Sequence, residues 1–582
     1  MLPFPNHMPR LFSRFGFAIA MLTGMSALAQ PGKDNIGTEV INVVRPYTPS
    51  VSDAFKIKET PNFDIDHLEK ITPQQYQMQL FPVASTFKPE KGRAAAAEKD
   101  PEAKRFDHFA RLAVGNFARI QADVFWSKAL NNNELFDVSF RHRSVNSSLS
   151  DALLPSTFMQ NALKAAYRVN NTSFSYDLSG GLQHTLLHWY GVRPDYWTAS
   201  TLDALQTKQT FTQFDLGGNL QFREKVLREA AVQYTYLADA FNSNEHHLLI
   251  NPKWAMDFNE HHIEANTTFD YLKGHFDQQF NSADENNYGF MKLEFSPTYR
   301  YSHQDLDLKA GVSLQYLGAQ HGESKLYFYP IAEGTYRLIS DVLHVYGGIE
   351  GGLIQNSYAQ FVQQNYMMSP TLLIAPTDQK AALHVGLKGK WAKNISYHAK
   401  ASYSTENNKA LLVSNGVASG LQTDKGYLYG NTFGVVYDRV NTFGLLGELR
   451  SEWSNKYQIF VQGNLQSYQT LVESQAWNLP SFTMQSGFDY AITDKWKLKS
   501  ELYVVWPRYD RWVSPLATQP VFEEVRLPAY ADLNAQVTYA YNTRWTFYAQ
   551  GNNLFNQKAN RWLNYPVMGI QVLAGAQYRF DF

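Results

Sequence analysis

The chain has 582 residues, with 52 basic against 53 acidic side chains, 15% aromatic residues and no cysteine. A net charge of -1 argues against nucleic acid as a partner, and none is expected. The missing cysteine excludes disulfide frameworks, thiolate metal sites, a cysteine nucleophile and a lipid-modified cysteine anchor.

Residues 1–29 read as a signal peptide. Arg10 and Arg14 form its positive region, Phe15 to Leu22 supply most of a short apolar run, and Ala27-Leu28-Ala29 gives a small-x-small cleavage pattern before Gln30. No later stretch approaches the roughly 18 to 20 continuous apolar residues of a spanning helix. Export to the periplasm or to an outer membrane follows. Residues 30–105 form a periplasmic or luminal arm rich in proline (Pro31, Pro46, Pro49, Pro61, Pro73, Pro82, Pro89 and Pro101) and ending in charged, alanine-rich sequence. Proline removes backbone donors and fixes backbone angles, so long strands and helices are not expected there. One short strand, Thr38 to Val44, carries Val40, Ile41 and Val43.

From Phe106 onward the texture changes to period-two alternation, the signature of a half-buried strand. Ile263, Ala265, Thr267, Phe269 and Tyr271 interleave with Glu264, Asn266, Thr268 and Asp270. Ala531, Leu533, Ala535, Val537 and Tyr539 interleave with Asp532, Asn534, Gln536 and Thr538. Tight Asn- and Asp-rich turns, such as Asn131-Asn132-Asn133, Lys393-Asn394 and Asn542-Thr543, alternate with long connections at 144–157, 185–206, 273–286, 356–378, 405–440 and 507–524. Asn and Asp suit tight turns because they tolerate left-handed backbone and bond their own chain. Short turns at one rim and long loops at the other are the pattern of an outer-membrane barrel. The reading is all-β: a transmembrane antiparallel β-barrel of about 22 strands over 106–582, with a short irregular N-terminal arm. A barrel this wide leaves a lumen that must be plugged, by the arm, the long loops or a partner.

The last strand, Ile570 to Phe582, sets Ile570, Val572, Ala574, Ala576, Tyr578, Phe580 and Phe582 on one face and mostly polar residues on the other. Tyr578, Phe580 and Phe582 resemble the assembly signal of bacterial outer-membrane proteins. Gly551-Asn552-Asn553-Leu554-Phe555-Asn556-Gln557, followed by Gly575-Ala576-Gln577-Tyr578-Arg579-Phe580, resembles the closing hairpin of TonB-dependent receptors, in the style of Bacteroidetes-type bacteria; Trp477-Asn478-Leu479-Pro480 is similar in style. The resemblance implies a 22-stranded outer-membrane transporter that moves a nutrient. It fails at the front, where about 75 residues stand in place of a globular plug, so a plugless or plug-reduced relative is expected. The strand carrying Val40, Ile41 and Val43 is a possible docking segment for TonB, or an arm strand that pairs with a partner. The alternative function is a plugless barrel serving as a structural or assembly subunit of an outer-membrane complex. Partners are then outer-membrane lipid and either TonB or an outer-membrane lipoprotein or protein.

His246-His247 and His261-His262 invite a metal reading, but neighbours on a strand face opposite sides and cannot chelate as a pair. No Gly-x-Ser-x-Gly elbow is present, and neither an enzyme nor a cofactor is expected. Gly180-Gly181, Gly217-Gly218, Gly347-Gly348 and Gly351-Gly352 fall within strands, as bends in a curved sheet. Trp126, Trp254, Trp391, Trp453, Trp496, Trp506, Trp545 and Trp562 are read as interface girdles. Trp189, Tyr190, Tyr196, Trp197 and Trp512 lie in long connections, where ligand stacking and ordinary loop packing remain open.

Overall fold

The structure is a computed structural model, which describes residues 107–581 apart from 150, 194–195, 224, 259–260, 341, 419–424, 454–455 and 514–521. Twenty-two antiparallel strands form one sheet that closes on itself. Each strand pairs with its sequence neighbour, and the ring shuts where the first strand, His108–Gly115, pairs with the last, Gln571–Phe580, in the register Leu112↔Ala576. Gly575 sits at this seam because the register leaves it no room for a side chain. A Cβ there would lie 2.5 Å from the Leu112 carbonyl oxygen and 2.7 Å from the ring of Tyr548, its cross-strand partner.

The period-two pattern sorts the wall into two faces. Leu112, Val114, Leu178, Leu216 and Phe328 stand exposed on the outside. Inside, Asp123 takes Arg141 at 3.3 Å, Arg143 at 3.5 Å and Arg111 at 3.8 Å, and Asp137 takes Arg168 at 2.6 Å. An apolar exterior over a polar, ion-paired interior is the inverse of a soluble sandwich and places the barrel in an outer membrane. Among the described residues no helix is long and apolar enough to cross a membrane.

The short-turn rim carries the aromatic girdle. Trp545 lies 4.7 Å from Tyr578, Trp496 4.6 Å from Tyr539, and Trp126 stacks on His108 at 5.8 Å. Trp506 marks the opposite rim, 5.0 Å from Phe482. Trp562 departs from the expectation: it belongs to a small hairpin, Asn560–Trp562 with Tyr565–Pro566, and packs on a buried core inside the loops. The 405–440 connection is half strand. Ile395–Ser414 and Phe433–Trp453 pair up to Ser414↔Phe433, leaving only 415–432 as loop, so Phe433 to Tyr437 extends a barrel strand. The barrel strand after the 507–524 connection begins at Tyr530, because Phe522–Leu527 pairs with Arg508–Val513 as a separate loop hairpin.

A charge on the lipid side must desolvate, while one on the luminal side does not. Leu178→Arg, near mid-barrel and facing out, is expected to lower folding stability by about 2–4 kcal/mol. Luminal Gln183→Arg on the same strand should stay within about 1 kcal/mol. Urea titration of the protein folded into lipid vesicles measures both.

Candidate functional site

The long loops fold inward over one mouth of the barrel and build a core of their own. Trp189, just past the strand Phe174–His188, is fully buried, 5.2 Å from Phe241 and 5.7 Å edge-on from Tyr427. Tyr427 lies on the loop that follows Ile395–Ser414, so loops attached ten strands apart in a ring of 22 meet. Tyr190 packs edge-on against Tyr565 at 4.8 Å, and its hydroxyl donates to the Pro566 carbonyl at 3.2 Å. Gly191 is required there, since a Cβ would fall 2.3 Å from the Tyr565 ring. Asn431 donates to the Trp189 carbonyl at 2.9 Å, and Tyr565 donates to the Asn431 carbonyl. The result is a cap with aqueous-protein packing standing on a membrane barrel.

One carboxylate from the wall clamps this cap. The short helix Tyr358–Gln364 starts at Ser357, whose hydroxyl accepts the Gln360 N–H at 3.1 Å. Its buried face is Tyr358, Ala359, Phe361 and Val362, the spacing of one helical stripe. Glu245, on the barrel strand Asn244–Phe258, accepts the N–H groups of Tyr358 at 2.7 Å and Ala359 at 3.0 Å, and the hydroxyl of Tyr288 at 2.7 Å. The Tyr358 hydroxyl donates to Asp239 at 2.9 Å. Helix-terminal N–H groups lack intrahelical partners, so a buried carboxylate here satisfies donors that water would otherwise have to reach.

The hairpin Arg508–Val513 with Phe522–Leu527 is the second anchor. It alternates, burying Arg508, Asp510 and Trp512 on one face. Asp510 accepts the Ser414 N–H at 3.0 Å and the Arg511 N–H at 2.8 Å, while its other oxygen has no partner. Burial pushes its pKa up to about 6, against the hydrogen bonds that favour the anion. Arg508 donates through Nη2 to the carbonyls of Asn560, at 3.1 Å, and Arg561, tying this hairpin to the loop before the last strand. Its Nη1 is buried without a partner, and burial holds its pKa below the ordinary arginine value.

Beneath these two loops, on the luminal side of the C-terminal strands, lies a cavity of about 570 Å³. Arg508 and Arg561 supply positive charge, Asp532 negative charge, Tyr503 and Tyr530 aromatic surface, and Asn552, Asn553, Gln557 and Gln571 amides. Its size is that of a small-molecule site. Among the described residues no cluster of His, Asp or Glu has the grouping of a metal site.

Tyr578 and Phe580 face outward in the short-turn girdle, stacked on one another at 5.8 Å, with Phe580 5.4 Å from His108. Phe582, Val40, Ile41 and Val43 lie outside the described residues, as do the signal peptide and the arm. The paired histidines split across the wall. His246 bonds the Tyr234 hydroxyl at 2.8 Å, whereas His247 bonds Asp270 at 2.8 Å; His261 bonds Tyr299 at 3.0 Å, and His262 bonds Asp257 and Glu264. Trp189 and Trp512 are cap core, with Tyr196 5.7 Å from Trp512 and Trp197 5.2 Å from Tyr429, so loop packing accounts for these aromatics. Sequence reading missed Glu245, Arg508, Asp510 and Asp532. Only the alternation of Arg508, Asp510 and Trp512 within a connection signalled a loop strand with a buried face.

No family model matches the chain, and no curated protein matches it by sequence. Solved structures do resemble it. The FrpB iron transporter from Neisseria meningitidis aligns with TM-score 0.62 and 8% identity, covering 82% of each chain. The ferripyoverdine receptor of the outer membrane of Pseudomonas aeruginosa, bound to ferripyoverdine, aligns at 0.60 and 12% identity over 83% of this chain and 72% of that one. The copper transporter OprC aligns at 0.58 and 12% identity over 83% and 82%. At these identities the likeness is one of fold.

Glu245→Gln leaves one acceptor oxygen where two serve three donors. It is expected to weaken docking of residues 355–376 by about 2 kcal/mol, which is roughly 30-fold faster hydrogen exchange there, with barrel strands unchanged. Asp510 gives a pH dependence of fixed sign. Its pKa is raised above the free value of 3.8 when the hairpin is docked, so the stabilisation from its protonated form is full below about pH 4 and is lost as pH rises through about 6. Exchange of 508–513, corrected for its intrinsic rate, should therefore show more opening at pH 7 than at pH 4.5, and Asp510→Asn should flatten the difference.

Proposed function

We propose that the chain is an outer-membrane barrel of the TonB-dependent-receptor kind, plug-reduced, that takes up a nutrient across the outer membrane. The observation that carries this reading is the loop cap packed over one mouth with a polar cavity directly beneath it. A route that must admit one solute without leaking needs both a closure and a site behind it. The named neighbours, two metal transporters and a siderophore-bound receptor, support transport as the class of activity. Tyr578, Phe580 and Phe582 serve as the barrel-assembly signal in this reading, and Val40, Ile41 and Val43 as the strand that docks on TonB. Residues 1–29 direct export, and outer-membrane lipid surrounds the apolar wall.

The assembly-subunit reading makes a different demand, that a partner remain attached. A chain lacking residues 30–105 is expected to leave cells resistant to detergent, because the loop cap still spans the mouth, and to abolish energised uptake. Loss of a stoichiometric co-purifying protein, with solute uptake unchanged, would move the assignment to the assembly role.

A further inference from the structure

We infer that the luminal cavity is a binding subsite for a small hydroxylated anion, whose carboxylate or phosphate is held between Arg508 and Arg561. The identification deepens the transport reading, in that a bound anion would be the solute or part of it, but anion binding stands on its own observations. Arg508 is 5% exposed. Its Nη2 is committed to two loop carbonyls, while Nη1 is buried without a partner. Among the described residues no carboxylate oxygen lies within ion-pair distance of it. A guanidinium taken out of water without a counter-charge is strongly disfavoured, and the uncommitted Nη1 donors can each give a charge-assisted hydrogen bond to one carboxylate or phosphate oxygen.

The rest of the lining agrees. Arg561 is exposed to the cavity and repels Arg508, so one anion between them relieves both. Asp532 is the one carboxylate among the lining residues, leaving the cavity with a net positive charge. Its Oδ1 is buried and without a partner, which makes it an acceptor for a hydroxyl. Tyr503 and Tyr530 give aromatic walls for the ligand's body, and about 570 Å³ admits a body the size of a hexose.

The test titrates the full-length protein in detergent with gluconate, with glucose 6-phosphate and with glucose, at low and high salt, by calorimetry. Saturable binding of at least one anion, weakened by salt, with none for glucose, is the expected result. Which anion binds tells carboxylate from phosphate. Arg508→Gln and, independently, Arg561→Gln should each weaken binding by about tenfold or more, with Arg508→Lys intermediate. Arg544→Gln at the opposite rim should change nothing. Arg508→Gln also removes two loop ties and should melt lower without ligand, whereas Arg561→Gln removes no tie and should melt no lower than the original, so lost anion binding in Arg561→Gln reports the site and not the fold. Binding of glucose as tight as that of the anions, failure of both anions to bind at millimolar concentration, or anion affinity untouched by both arginine substitutions would overturn the inference. Anion binding without uptake in cells removes the transport reading and leaves this one standing. Uptake that requires the arm, with no anion bound at Arg508, does the reverse.

Discussion

Everything in this molecule depends on the closure of a backbone hydrogen-bond ladder in lipid. Hydrocarbon offers no partner to a free N–H or C=O, so a sheet survives there only if its first and last strands meet. That obligation explains why His108–Gly115 and Gln571–Phe580 must find each other across more than 450 residues, and why Gly575 cannot carry a side chain at the seam. It also explains the strict alternation of every wall strand. One face must please lipid and the other water, and a slip of one residue exchanges them.

Above the wall the solvent changes and the rules invert. The loops sit in water and bury Trp189, Tyr358, Tyr427 and Phe433 against one another as any soluble core does. Because these loops spring from strands on opposite sides of the ring, their packing bridges the mouth instead of decorating the rim. Glu245 joins the two regimes: a wall residue whose carboxylate terminates a helix in the cap. The cap is thereby tethered to the wall by polar contacts beside its apolar core, Asn286 to the Leu372 carbonyl and Tyr358 to Asp239 among them. Asp510 and Arg508 extend the same logic. Both are charges buried on the loop hairpin with capacity left over, Asp510 toward a proton and Arg508 toward an anion.

The sequence by itself determined the wall. Period-two alternation, Asn- and Asp-rich turns and the aromatic closing strand each report a local choice of strand or turn, so 22 strands and their rims were legible before any contact was known. The girdle reading of Trp562 failed because this residue lies in a loop hairpin, and alternation does not say which solvent a strand meets.

Only the tertiary structure decided the cap and the cavity. That Trp189 meets Tyr427, that Glu245 reaches Tyr358, and that Arg508, Arg561 and Asp532 share one space are facts about residues far apart in sequence. In the chain nothing marks these charges out, because a charge declares its burial only when its surroundings are known. The barrel is written in local periodicity, whereas the site arises from long-range convergence of loops that carry no period of their own.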